Sequence, residues 1–283
     1  MTDIPFIKMH GAGNDYVFID GFHAPLPGDC SQLAVRISHR NFGVGSDGLV
    51  TIVPSDSPTA DVSMRMWNAD GSEGHMCGNA ARCVALWMEL KNRVAGQCRI
   101  QATSRVVTAT TQMLNQKHAC GEFSVNMGQP KVASKLENFG SLDEPASGNT
   151  DPKLQFQSVC IGNPHAVILT DTLSDHRVRH VGSTIERLPQ FPGGTNVEWV
   201  RVLNASEMEV RVWERGSGET LACGSGACAA VVAAISQGRC DRSRSVKVRM
   251  PGGILRVEWL ETNDVLLSGP ASVSFTGSLK VHA

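Results

Sequence analysis

At 283 residues, with 41% hydrophobic and 19% charged side chains, the chain is long enough for two domains and apolar enough to bury sizeable cores. Its net charge of −1 gives no basis for a nucleic-acid partner or an anionic membrane surface. The start, Met1-Thr2-Asp3-Ile4-Pro5, is not a signal peptide, and the apolar run Ala227–Ile235 is far short of the roughly 20 residues of a membrane span, so no membrane partner and a cytoplasmic location are expected.

Strand-like runs in the first half fall at 6–10, 16–20, 49–53, 62–67, 98–103, 106–113 and 122–126, with helices near 31–40 and 78–91. In the second half they fall at 154–161, 166–170, 196–202, 208–213, 245–250, 254–259 and 273–275, with helices near 174–187 and 224–237. Runs rich in β-branched residues and bounded by Gly, Asn and Asp carry the strand assignments. The helix from Gly224 is apolar all round, which predicts that sheet encloses it. The polar stretch 133–153, rich in Ser, Gly and Pro, reads as an exposed excursion.

The two halves share motifs in one order. Gly13-Asn14 precedes Tyr16-Val17-Phe18-Ile19, and Gly162-Asn163 precedes Ala166-Val167-Ile168-Leu169, with the asparagines 149 apart. Gly45-Ser46-Asp47 and Gly194-Thr195-Asn196 repeat at the same offset. Glu73-Gly74-His75-Met76-Cys77-Gly78-Asn79-Ala80-Ala81-Arg82-Cys83 is echoed by Glu219-Thr220-Leu221-Ala222-Cys223-Gly224-Ser225-Gly226-Ala227-Cys228, with Cys77 and Cys223 146 apart. Three motifs at nearly one spacing indicate internal duplication.

Each of those two cysteines sits where a helix should begin. A helix start carries about half a positive charge and unpaired N–H donors. That environment lowers a thiol's pKa and can hold an anion. Two such thiols facing one pocket would form a matched acid and base. The other seven of the nine cysteines are expected to be reduced core residues, because the number is odd and neither a Cys-x-x-Cys nor a zinc-like spacing occurs.

His10-Gly11-Ala12-Gly13-Asn14-Asp15, Asn68-Ala69-Asp70-Gly71-Ser72-Glu73, the Cys77 segment, Gly162-Asn163-Pro164-His165, and Glu214-Arg215-Gly216 followed by the Cys223 segment together resemble the diaminopimelate epimerases. The resemblance runs from about residue 6 to the end. It implies an α+β fold of two similar, pseudo-symmetric domains, each a sheet or barrel wrapped round a central helix, with the active site in the cleft between them. It implies domain one at 1–126 plus 269–283, carrying Cys77, and domain two at 127–268, carrying Cys223. The implied activity is the interconversion of LL- and meso-diaminopimelate, in lysine and cell-wall precursor biosynthesis, without cofactor or metal; a homodimer is expected.

On this resemblance Cys77 and Cys223 exchange protons at one α-carbon. The N–H groups of Gly78, Asn79, Gly224 and Ser225 hold the reacting carboxylate, where preorganised donors stabilise developing charge. Arg215 clamps the distal carboxylate, and Asn68, Asn163 and Asn196 hold the distal amino acid group. Asn14 contacts substrate nearer the reacting end. Glu214 accepts from an ammonium or tunes a cysteine, and His165 biases thiol protonation. Some relatives carry a substrate-contacting glutamine where this chain has Gly48, so no contact is expected there. The competing functions are another racemase of the same fold acting on proline, hydroxyproline or histidine, and, from a different class, a thiol redox or substrate-binding protein. Redox pairs usually lie close in sequence, and proline has no distal carboxylate for Arg215.

Overall fold

The structure is a computed structural model that describes residues 2–22, 26, 28–74, 76–143 and 150–281. The chain divides into two compact units, Met1–Asn126 with Ser268–Ala283, and Met127–Leu267. His75, part of the first cysteine motif, lies outside the described residues.

The first unit runs β1 (Thr2–Gly11), β2 (Asn14–Asp20), α1 (Cys30–Ser38), β3 (Gly48–Val53), β4 (Val62–Asn68), β5 (Glu73–Gly74), α2 (Gly78–Leu90), β6 (Gln97–Gln101), β7 (Val106–Asn115) and β8 (Cys120–Asn126). β1 and β2 form a hairpin whose two loop residues, Ala12 (φ 55°) and Gly13 (φ 81°), both have positive φ. That is the type I′ geometry that matches strand twist, and it delivers Asn14 as the first residue of β2. Asp29 caps α1 by accepting from the Gln32 amide at 3.0 Å, as an N-cap carboxylate does. Leu33, Ala34 and Ile37 of α1 then pack with Phe6, Val17, Leu49 and Trp67. Eleven of the thirteen residues of α2 are buried, against β1, β6, β7 and β8. The two that are not, Trp87 and Leu90, lie in its last turn.

The second unit runs β9 (Lys131–Val132), β10 (Glu137–Asp143), β11 (Thr150–Cys160), β12 (Pro164–Leu169), a π-helical turn (Arg177–Val181), α3 (Gly182–Glu186), β13 (Asn196–Asn204), β14 (Glu207–Glu214), β15 (Gly218–Thr220), α4 (Gly224–Ser236), β16 (Val246–Met250) and β17 (Gly253–Trp259). β18 (Val265–Val281) follows, and its later part pairs antiparallel with β1 in the first unit. α4 is surrounded by β11 to β14, β16 and β17, as its all-round apolar surface requires.

The pairing pattern repeats. In the first unit β2–β3 is parallel, β3–β4 and β4–β5 antiparallel, β4–β6 parallel and β6–β7 antiparallel. In the second, β12–β13, β13–β14, β14–β15, β14–β16 and β16–β17 follow the same series. The duplication is therefore structural as well as sequential, and each copy closes round one central helix.

Three expectations need correction. The stretch 133–153 is not a plain excursion, because β10 pairs antiparallel with β11 across it; its residues 144–149 lie outside the described set. Main-chain pairing there overrides a polar composition that alone favours a loop. The strand expected at 273–275 is part of the much longer β18. Cys160 is exposed and Cys30 and Cys120 are only half-buried, since strand ends and a helix start leave one side open. Among the described residues no helix is long and apolar enough to cross a membrane.

Candidate functional site

Cys77 and Cys223 are the N-caps of α2 and α4, with nearly identical extended backbones: φ −133°, ψ 121° and φ −122°, ψ 114°. A cap residue's carbonyl accepts the first helical bond, here from Ala81 and Ala227, each at 2.9 Å. The N–H groups of the first turn have no carbonyl one turn back. They are Gly78 and Asn79 in one copy and Gly224 and Ser225 in the other, and they lie beside the sulfur.

Around Cys77 the first unit builds a chain of polar side chains. Arg82, fully buried, donates from Nη2 to Asn79 Oδ1 at 2.7 Å. Asn79 Nδ2 donates to Asn14 Oδ1 at 3.1 Å, and Cys77 Sγ donates to the same oxygen at 3.6 Å. Asn14 Nδ2 donates to Asp47 Oδ2 at 2.8 Å, where the Asp15 amide also donates at 3.0 Å. Arg40 Nη2 lies 2.9 Å from both Asp47 Oδ1 and Asp15 Oδ1, and buried Lys8 joins Asp15 and donates to the Gly45 carbonyl. Burial works against ionising Asp15, but Arg40 and Lys8 hold its carboxyl below the ordinary range. Burial and the neighbouring Asp15 push the Asp47 carboxyl up.

The second unit surrounds Cys223 differently. The thiol accepts from the Gly226 amide at 3.4 Å and lies 3.6 Å from Ser225 Oγ. The expectation that a helix start lowers the thiol's pKa fails here. Burial pushes it well up, and the Glu214 and Glu198 carboxylates add to this, outweighing the bonds from Ser225 and Gly226. Glu198 and His165 form a fully buried pair, Oε1 to Nδ1 at 2.7 Å. His165 Nε2 lies 2.9 Å from Asn163 Oδ1. Glu198 Oε1 also abuts Gly226, where a Cβ would come within 2.7 Å of it.

Asn196 opens β13, and its Oδ1 accepts from the Arg215 amide at 2.9 Å. The Arg215 side chain is exposed and donates to the Gly193 carbonyl at 3.2 Å. Glu214, ending β14, accepts from Thr220 Oγ1 at 2.5 Å. Glu186 fixes this turn by accepting from Trp213 Nε1 at 2.7 Å and the Gly216 amide at 3.0 Å. Asn68 ends β4 and donates to Ser72 Oγ at 2.9 Å. Gly48 is paired with Asn68 across β3–β4. A Cβ there would lie 2.1 Å from the Trp67 carbonyl oxygen, so the backbone leaves no room for a side chain.

In the first unit Asn14, Gly78, Asn79 and Cys77 thus adjoin one another. In the second, Cys223, Gly224 and Ser225 adjoin, and Glu198, packed against Gly226, carries His165, which in turn meets Asn163. Asn196, Glu214 and Arg215 share the neighbouring turn. Sequence reasoning missed Asp47, Arg40, Lys8, Glu198 and Glu186 as members of these networks. Glu198 left a legible signal, a carboxylate two residues after Asn196 within the apolar run Val197–Val200, and so on the same strand face. Asp47 stood in the repeat opposite Asn196.

A family model described as diaminopimelate epimerase matches residues 6–133 and 157–274. A diaminopimelate epimerase of Desulfitobacterium hafniense is 42% identical, covering 96% of this chain and 97% of its own length. One from Bacillus cereus is 39% identical, covering 96% of each. Among solved structures, a phenazine biosynthesis protein of the PhzF family from Bacillus anthracis superposes with a TM-score of 0.73 at 12% identity, over 99% of this chain and all of its own. A probable proline racemase from Agrobacterium radiobacter gives 0.70 at 14% identity, over 99% and 93%. At such identities these structures share the fold.

Proposed function

The chain belongs to the diaminopimelate epimerase family, and from that premise we propose a two-base epimerisation carried by Cys77 and Cys223. The enzyme is an isomerase that interconverts LL-2,6-diaminopimelate and meso-diaminopimelate by moving the proton at one α-carbon. One sulfur, as thiolate, takes the proton from one face, and the other, as thiol, returns a proton to the opposite face. The observation that carries this assignment is the duplicated cap: two thiols in matching backbone conformation, each beside the unpaired N–H groups of an enclosed helix.

The N–H groups of Gly78, Asn79, Gly224 and Ser225 receive the reacting carboxylate. Charge flows onto that carboxylate as the α-proton leaves, so fixed donors stabilise the transition state more than the ground state. Arg215 takes the distal carboxylate through its guanidinium fork. Asn68, Asn163 and Asn196 take the distal amino acid group. Asn14 contacts the substrate nearer the reacting end, and its amide also holds Cys77 and Asn79. Glu214 and His165 bias the thiols. Burial works against ionising Cys223, which suits it to donate the proton in one direction of the reaction.

A racemase acting on proline would use the same fold, and the distal groups decide between them: proline offers nothing for Arg215 to bind. On this proposal the enzyme works in the cytoplasm as a homodimer, and nine cysteines with no disulfide between them suit a reducing compartment. The test is epimerisation of LL-diaminopimelate in heavy water. Deuterium should enter mainly the product isomer, and Cys77→Ala or Cys223→Ala should abolish turnover. Full activity in either variant removes the assignment.

A further inference from the structure

The side chains beside Cys77 form a hydrogen-bond chain with a direction. A guanidinium has only donors and a carboxylate only acceptors. Arg82 at one end therefore fixes the Asn79 amide with its oxygen inward, at 2.7 Å. Asp47 at the other end fixes the Asn14 amide with its nitrogen outward, at 2.8 Å. Between them Asn79 Nδ2 donates to Asn14 Oδ1 at 3.1 Å. Every link agrees, so neither amide can turn over without breaking two bonds. Amide orientation is often ambiguous in proteins; charged ends of opposite kind remove the ambiguity here.

The consequence falls on Cys77, whose sulfur lies 3.6 Å from Asn14 Oδ1. An oxygen there accepts from a thiol and repels a thiolate, whereas an amide nitrogen would donate to a thiolate. Asn14 is 7% exposed and Asn79 1%, so water does not readily substitute for either partner. Asp47 itself is anchored by the Asp15 amide at 3.0 Å and by Arg40 at 2.9 Å. Asp15 is in turn held by Lys8 and Arg40. The carboxylate's position is thus set by backbone and by paired charge, independently of any substrate.

We propose that Asp47 is a positioning residue that acts through Asn14: it turns the Asn14 oxygen toward Cys77 and thereby sets which protonation form of that sulfur the first unit favours. The effect on turnover rests on Cys77 being one of the two acid–base groups, but the effect on the sulfur does not. Without Asp47 the Asn79 bond alone still orients the Asn14 amide, so the amide turns over more often, its nitrogen then bonds the sulfur, and the resulting thiolate is more populated but a weaker base.

The experiment is alkylation by iodoacetamide, followed residue by residue by peptide mass spectrometry, with Cys223 as the internal reference. In Asp47→Ala, Cys77 should react about five-fold faster, the ratio given by one ordinary hydrogen bond of about 1 kcal/mol. Cys223 should be unchanged, and epimerisation should slow. In Asp47→Asn, which keeps the shape and one acceptor, the change should be smaller in the same direction. Against an Asn14→Leu background the Asp47 substitutions should have no further effect on Cys77, the signature of one residue acting through another. If Asp47→Ala does not fold, the same comparison with Asp47→Asn decides. An unchanged or slower Cys77 in a folded Asp47 variant overturns the proposal, as does an effect that persists in Asn14→Leu. Faster Cys77 alkylation with active Cys77→Ala enzyme would leave the Asp47 role standing and defeat the catalytic assignment instead.

Discussion

Removing His165 should be more damaging than removing the whole pair to which it belongs. Glu198 and His165 are both 0% exposed, joined at 2.7 Å. The other carboxylate oxygen, Glu198 Oε2, has no hydrogen-bond partner among the described residues. His165→Leu leaves that carboxylate buried and uncompensated. Breaking a buried pair from one side costs about 3–5 kcal/mol, which for a chain of this size lowers Tm by about 6–10 °C at about 2 °C per kcal/mol. Replacing both partners with apolar side chains is commonly neutral or stabilising. The double variant His165→Leu/Glu198→Met should therefore recover most of the loss, to within about 1–2 kcal/mol of the parent. Thermal melting and urea unfolding of the three variants at one pH, with the parent alongside, measure this. Epimerisation should stay impaired in the double variant even as stability returns. The reasoning fails if His165→Leu melts within a degree or two of the parent, or if the double variant is no more stable than the single.

Glu214→Gln removes a carboxylate that, after burial, is the next largest cause of the raised Cys223 pKa. The thiol should then ionise at lower pH, seen as faster Cys223 alkylation near neutrality with the pH profile displaced downward. Arg215, exposed in the free enzyme, can meet the distal carboxylate only in the complex, so Arg215→Met should lower kcat/KM for diaminopimelate; lysine, which lacks the distal carboxylate, should be a very poor substrate for the parent, and comparable kcat/KM for lysine and diaminopimelate would refute the role. Gly226→Ala places a Cβ 2.7 Å from Glu198 Oε1 and 3.3 Å from Cys223 Sγ. Overpacking of that kind costs about 1–3 kcal/mol, and displacement of the sulfur should show as a fall in kcat without a matching change in KM.

Much of this architecture is readable along the chain because duplication writes it twice. The Cys77 and Cys223 segments share a glycine and an Ala-rich run after the thiol, and their helix starts follow from that pattern. The all-round apolar 224–236 segment dictates enclosure by strands. Long-range pairing is not legible in the same way. β10 is a polar strand that finds its partner in β11, which itself also pairs with β12 and β9, and β18 pairs with β1 across almost the whole sequence. Paired charge is also hard to read. Lys8, Asp15, Arg40 and Asp47 look like ordinary surface residues until the hairpin at Ala12-Gly13 and the turn before β3 bring them together. The raised Cys223 pKa arises from burial and from Glu198 and Glu214, none of which a helix-start argument contains.

The two copies of the device have diverged in what surrounds the sulfur. Cys77 faces a neutral amide oxygen, polarised from Arg82 at one end and Asp47 at the other. Cys223 sits in a drier site under the influence of two carboxylates, with a buried imidazole beside one of them. Identical thiols would suit a reaction between mirror images, where the two directions are equivalent. LL- and meso-diaminopimelate are not mirror images, since the distal centre is unchanged by the reaction. On the two-base proposal the two faces of the reacting carbon need not meet equal surroundings, and nothing requires the two sulfurs to match. What must be conserved between the copies is narrower: a thiol at a helix N-cap with unpaired N–H groups beside it. That is the part the two units share to within about 10° in backbone φ and ψ.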